Sequence, residues 1–163
     1  FDDVVACIPY ADPLGLFNGG TGALFYGGRI PTVVGAGCAG SAGAAPQAWF
    51  TGDFARVGGS NFALTLGGAP PGNVAALAAG APLPPTWPGI PLATYGLPGC
   101  TFRVLPSLLL NTIVDAGGSA SFSAPVPNSP SLVGFSLDVQ WVVVGLPGPF
   151  VAASDAIRIL IGP

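Results

Sequence analysis

The sequence predicts an all-β chain folded as an antiparallel β-sandwich, of the jelly-roll or immunoglobulin-like kind. Three observations carry this. The chain has 26 glycines and 19 prolines but no lysine, glutamate or methionine, so three residues that favour helices are missing and residues that break them abound. Several stretches alternate between apolar and polar residues, the period of a strand with one buried face. Turn signals recur about every 8–12 residues, the spacing of a sandwich or barrel, and no helical segment of about 10–15 residues intervenes to suggest a parallel sheet.

Taken in order, "VVACI" (4–8) reads as a short strand and "DPLGLFNGGTG" (12–22) as turn material with an Asn-Gly dipeptide. "ALFYGG" (23–28) reads as an edge strand, and "PTVV" (31–34) leads into the Gly/Ala run "GAGCAGSAGAAP" (35–46). "QAWFTG" (47–52) is a strand candidate. In "GGSNFALTLGG" (58–68), Phe62, Leu64 and Leu66 point one way and Asn61, Ala63 and Thr65 the other. "APPG" (69–72) turns the chain, and "NVAALAAG" (73–80) returns. The alanines of 75–79 admit a helical turn, but the run is short and bounded by proline and glycine, so a strand is the preferred reading. "PLATYG" (91–96), "CTFRVLP" (100–106), "SLLLNTIVDAGG" (107–118) and "SASFSAPVP" (119–127) follow. "SLVGFSLDVQWVVVG" (131–145) is the longest strand signal: Phe135, Leu137, Val139 and Trp141 share the core parity, while Ser136, Asp138 and Gln140 take the solvent side. "AIRILIG" (156–162) closes a count of roughly eight to ten strands. Prolines collect where strands end, as expected of a residue with no ladder donor. The division is residues 1–34 as an N-terminal arm or edge strands, and 35–163 as the sandwich.

Cys38 and Cys100 lie in "GAGCAGS" and "GLPGCTF", where glycine lets the backbone bring two sulfurs together. A bridge would close a loop of roughly 60 residues and stabilise the fold by about 4 kcal/mol in the chain-entropy picture. It would also imply an oxidising compartment. The rival is a metal site, which three cysteines without histidine or a CxxC pair support poorly. Cys7 is left over: buried and free, paired between chains, or the partner of another cysteine.

Charge is scarce. Charged residues make up 7% of the chain against about 25% in an ordinary domain, and the net charge is −3. Three tryptophans and ten phenylalanines argue against disorder. The longest apolar runs, such as "VQWVVVGLPGPFVAA" (139–153), are broken by glycine and proline and fall short of the about 20 residues of a membrane span. Four arginines without lysine are too few to neutralise a phosphate backbone, which excludes nucleic acid as a partner. No histidine stands ready as a base and no serine has a G-x-S-x-G context, so no catalytic residues are assigned and the protein is not expected to be an enzyme. Paired aspartates for glycoside hydrolysis are available in number, but most fall in turns, where aspartate bonds the backbone. A structural calcium held by Asp2, Asp3 and Asp12, or by Asp53 or Asp115 with loop carbonyls, is a minor reading, because no D-x-D-x-D-G run exists. No cofactor is expected.

Taken together and in order, "GAGCAGSAG", "GGSNFALTLGGAPPG", "PLATYGLPGC", "DAGGSASFSAPVP" and "LVGFSLDVQWVVV" resemble a β-sandwich domain of exported bacterial proteins, familiar from planctomycetes and myxobacteria. The resemblance covers about residues 35–162. It places Cys38 and Cys100 at the two family cysteines, which supports pairing them, and matches Gln140 and Trp141 to a Q-W pair. Gly68 departs from the pattern, standing where the family often has asparagine. The resemblance implies an extracellular or cell-surface location and supplies no catalytic residues to carry over; Cys7 lies outside it.

Two functions remain. A surface poor in charge leaves sheet edges without their usual protection, and an arm at residues 1–34 is available for strand addition to a neighbour. The first expectation is therefore a structural subunit that assembles with itself, as a homo-oligomer or polymer, into a filament, appendage or surface layer. The second is a module that binds extracellular glycans, with Trp87 in "PPTWPG" and Tyr95 as the candidate ligand platform. For Trp87 the plainer role is a plug packed over the sandwich edge; Trp49 is ambiguous, and Trp141 belongs to the core.

Overall fold

The structure, a computed structural model, describes residues 31–40, 43–145 and 148–163, together with the backbone of two short strands, β1 (Val4–Ala6) and β2 (Ala23–Phe25). β1 and β2 pair with each other as an antiparallel ribbon. Cys7 lies outside the described residues, as do Asp2, Asp3, Asp12 and most of the expected arm.

Alternation builds the main body. β4 (Gln47–Thr51), β5 (Ala63–Gly67) and β10 (Ala120–Ser123) form a three-stranded sheet in the order β10-β5-β4. β3 (Thr32–Gly35), β6 (Val74–Gly80), β9 (Leu108–Ile113), β11 (Ser136–Val144) and β12 (Phe150–Leu160) form a five-stranded sheet in the order β3-β12-β11-β6-β9. All pairings are antiparallel. Followed along the chain, β4, β5, β6, β9, β10, β11 and β12 change sheets in the immunoglobulin-like way. The first, second and fifth of them share one sheet and the other four share its partner. β3 straddles the expected division at 34/35 and is an edge strand of the larger sheet.

The core lies between the sheets. Leu64 and Leu66 of β5 meet Leu77 of β6, Val139, Trp141 and Val143 of β11, and Ile157 and Ile159 of β12. Trp141 is fully buried and stacks on Phe122 of β10, with ring centroids 5.5 Å apart and planes 9° from parallel. Its indole N–H is buried without a hydrogen-bond partner, a local cost the packing around the ring outweighs. Phe135 is not part of this core: β11 begins at Ser136 and the Phe135 side chain is 53% exposed. A single-turn 3₁₀ helix, Pro130–Leu132, and the turn after it occupy the residues that continued the apolar parity in the sequence.

The chain between β6 and β9 departs from two-layer packing. Residues 81–107 leave the sheet, form the minimal ribbon β7 (Ile90–Pro91) and β8 (Thr101–Phe102) and a 3₁₀ turn at Ala93–Tyr95, and fold back onto the outer face of the large sheet. There Leu92, Leu97, Phe102 and Val104 bury Ala78, Val142 and Ala153 in a second, smaller core. Alanine recurs along β6 because both faces of that strand are covered and two layers close on it.

Candidate functional site

Polar residues and one disulfide hold the outer layer to the sheet. Cys38 and Cys100 are joined, with Cα atoms 5.7 Å apart across 62 positions of sequence. Cys38 lies beside β12, exchanging backbone hydrogen bonds with Ala153 at 2.8 and 3.0 Å. Gly37 permits this approach: a Cβ there would come within 2.6 Å of the Asp155 backbone nitrogen. The cysteine therefore sits among glycines because its loop must lie flat against a strand.

β12 carries a bulge opposite Trp141, with Gln140 facing Ala156 and Val142 facing Ala153, so two residues of β12 oppose one of β11. The Trp141 N–H, left without a ladder carbonyl, donates to the Ser154 hydroxyl at 2.9 Å. The bulge also turns Asp155 toward the smaller sheet, where its carboxylate accepts the Ala48 N–H at 2.7 Å.

Gln140 and Asp138 face outward from β11 but do not reach water. The sequence places both on the solvent side; the structure corrects this, because the 81–107 excursion covers them. Gln140 accepts from the Arg103 N–H at 2.7 Å and donates to the Ser154 carbonyl at 2.8 Å, tying β8 to the sheet. Asp138 is 1% exposed. It accepts two hydrogen bonds from Arg158, at 2.7 and 2.9 Å, and one from the Leu83 N–H at 3.2 Å. Arg158 in turn donates to the Leu83 carbonyl at 2.9 Å. The ion pair thus satisfies both backbone groups of Leu83 and anchors the start of the excursion, in the way a neighbouring strand would. The hydrogen bond to Asp138 raises the Arg158 pKa above its already high usual value; partial burial opposes this and attraction to the carboxylate adds to it. A raised cationic pKa stabilises the fold below the group's unfolded value, so this contribution holds through the neutral range and is lost in strong alkali.

Above the pair lies a cleft of about 310 Å³ between β3 and the 83–87 segment. Val33, Leu83, Pro84, Trp87, Arg103 and Arg158 are among the residues that line it. Trp87 is half-buried at the end of a tight turn, its N–H bonded to the Pro84 carbonyl at 2.9 Å, and its own carbonyl accepts from the Arg103 guanidinium at 3.0 Å. Tyr95 lies elsewhere. It is exposed, stacks on Phe150 at 5.2 Å, and lines a separate depression with Pro149. The two aromatic residues singled out from the sequence therefore do not share one surface. Trp49 faces outward from β4, 38% exposed.

The described aspartates have local tasks. Asp115 accepts the N–H groups of Gly117 and Ser119 in the turn before β10. Asp53 lies 4.0 Å from Arg56 at the surface. Among the described residues, no group of three histidine, cysteine, aspartate or glutamate side chains is placed to hold a metal ion, and no helix is long and apolar enough to cross a membrane.

A different kind of site lies at the far edge of the large sheet. Among the described residues β9 pairs only with β6, and the five-stranded sheet is wider than the three-stranded sheet that covers it. Leu108 and Leu110 share the parity of the core-facing side and remain 51% and 36% exposed; Leu109 and Ile113, on the opposite side, are 58% and 57% exposed. No charged residue occurs from Leu105 to Val114.

Asp138 and Arg158 escaped sequence reasoning. One signal was present: each is the sole charged residue of its quoted strand segment, "SLVGFSLDVQWVVVG" and "AIRILIG", and the two are of opposite sign. In the sheet they stand directly across from each other. Comparison of the chain with models of known protein families, with curated proteins and with solved structures finds no match in any of the three.

Proposed function

We propose that the protein is a non-catalytic extracellular structural subunit that assembles with copies of itself by strand addition. The bare edge of β9 carries the reading. An exposed strand with free backbone donors and acceptors is a template for another strand, and globular proteins guard such edges with charges, proline or a covering element. β9 has leucine and isoleucine on both sides and no charge, so a neighbouring strand that pairs with it gains main-chain hydrogen bonds and covers apolar side chains together. The N-terminal segment bearing β1 and β2 is the proposed donor. The disulfide supports an oxidising location, and with it secretion to the cell surface or beyond.

The test is light scattering and negative-stain electron microscopy of the native protein over a rising concentration series, beside Leu109→Lys/Ile113→Lys. Ordered fibres or sheets from the native chain, and their absence in the charged variant, are the expected result. A native species that stays at about 16 kDa throughout rejects the assembly reading.

Glycan recognition is the second reading, favoured by one observation: Trp87 lines a cleft that also carries the guanidinium groups of Arg103 and Arg158. Tyr95 belongs to a different depression and has no part in it.

A further inference from the structure

The Trp87 cleft has a charge sign unlike that of the chain. Asp138 is spent on Arg158, with both carboxylate oxygens engaged. Arg103 has no carboxylate partner among the described residues: its one side-chain hydrogen bond is to the Trp87 carbonyl. Counted over the described residues, two guanidiniums and one carboxylate leave the cleft with one net positive charge, in a protein of net charge −3. Arg103 is also built in. Its backbone N–H is held by Gln140, and its stem packs over Gly35 of β3, where a Cβ would come within 2.5 Å of Arg103 Cγ. A guanidinium held at the Trp87 carbonyl, in a cleft that Trp87 also lines, suits a ring that bears a carboxylate.

From this charge and this placement we infer that the cleft binds an acidic saccharide, a hexuronic acid unit whose carboxylate pairs with Arg103 while Trp87 packs against the sugar ring. The inference rests on the glycan reading above and narrows it to one ligand class. Arginine meets a carboxylate with two parallel hydrogen bonds, and the indole supplies the apolar surface that a pyranose face requires. A peptide carboxylate offers the same charge without the ring that would pack against Trp87.

The experiment is calorimetric titration of the native, disulfide-bonded protein with four probes: a tetragalacturonate, its methyl ester, a neutral tetrasaccharide, and a tripeptide with a free C-terminal carboxylate. Binding of the free acid alone, weakening as salt is raised, is expected. Arg103→Gln should weaken it roughly ten- to hundredfold, and Trp87→Ala roughly five- to tenfold. Arg103→Lys should recover part of the loss, and thermal melts should show each variant folded. The ester comparison needs no variant, so it decides the matter even if one fails to fold. If the ester and the neutral sugar bind as well as the acid, the acidic ligand is overturned and glycan recognition stands. If the tripeptide binds more tightly than the acid, the ligand is a peptide carboxylate and the inference fails. If nothing binds, the glycan reading falls with it.

Discussion

The five-stranded sheet has two covered faces built on different principles. Along β6 and β11 its inner face is apolar at every alternate position, and it meets a second sheet whose strands alternate in the same way. Its outer face is covered by an excursion of 27 residues, 81–107, with little regular structure of its own, and is held by a small apolar cluster, one disulfide, one glutamine and one ion pair. The difference shows what each kind of cover requires. A sheet docks on a sheet mainly through area, because most of its backbone groups are already paired; the edge-strand Ala48 N–H, received by Asp155, is an exception. A loop brings unpaired backbone groups to the interface, and polar side chains must receive them. Gln140 receives Arg103, and the Asp138–Arg158 pair receives Leu83.

The comparison is broken most directly from the inside. Trp141→Ala should cost about 4–5 kcal/mol, since a fully buried indole leaves a cavity that two packed sheets close only in part. Chemical denaturation should show a lower midpoint and one transition for the whole molecule. Next is the latch of the outer layer. Cys38→Ser/Cys100→Ser, or reduction, should cost about 4 kcal/mol if chain entropy is the main term. The same unfolding curve measures it, and an outer layer that comes away before the sandwich would appear as a second transition.

Smaller effects sharpen the contrast. Asp138→Asn should cost about 2–3 kcal/mol, because Arg158 loses its charge partner but is not wholly shielded from water. Hydrogen exchange should then rise first in residues 81–107, with the inner core still protected; uniform loss of protection would mean that the two layers form a single cooperative unit. Gln140→Leu should cost about 1–2 kcal/mol, with exchange rising at the Arg103 amide. The smallest change in stability, within about 0.5 kcal/mol, belongs to Leu109→Lys on the exposed edge, where thermal melting should barely move while self-association is lost.

The fold was largely legible in the sequence. Alternation in "NFALTL" placed Phe62, Leu64 and Leu66 on one buried side, and the proline and glycine boundaries of "NVAALAAG" favoured a strand over a helix; both readings match the structure. The Gly-rich settings of Cys38 and Cys100 pointed to the bridge that the structure contains. Strand length was less legible: β12 begins at Phe150, six residues before the apolar run from which it was read, because its first half is bulged and broken in periodicity.

The candidate cleft and the bare edge were not legible, for one physical reason. Periodicity reports which residues of a strand face the same way, but it does not report what lies opposite. "SLDVQW" has the same pattern whether Asp138 and Gln140 meet water or a returning loop, and "SLLLNTI" has the same pattern whether a second sheet covers it or stops short. Composition and local alternation determined an antiparallel all-β sandwich with its main core, and the Gly-rich settings of Cys38 and Cys100 favoured their bridge. The tertiary structure alone decided which face received a second cover, which charges were buried beneath it, and which strand was left at an open edge. Those outcomes depend on contacts between residues far apart in the chain, and no local pattern encodes them.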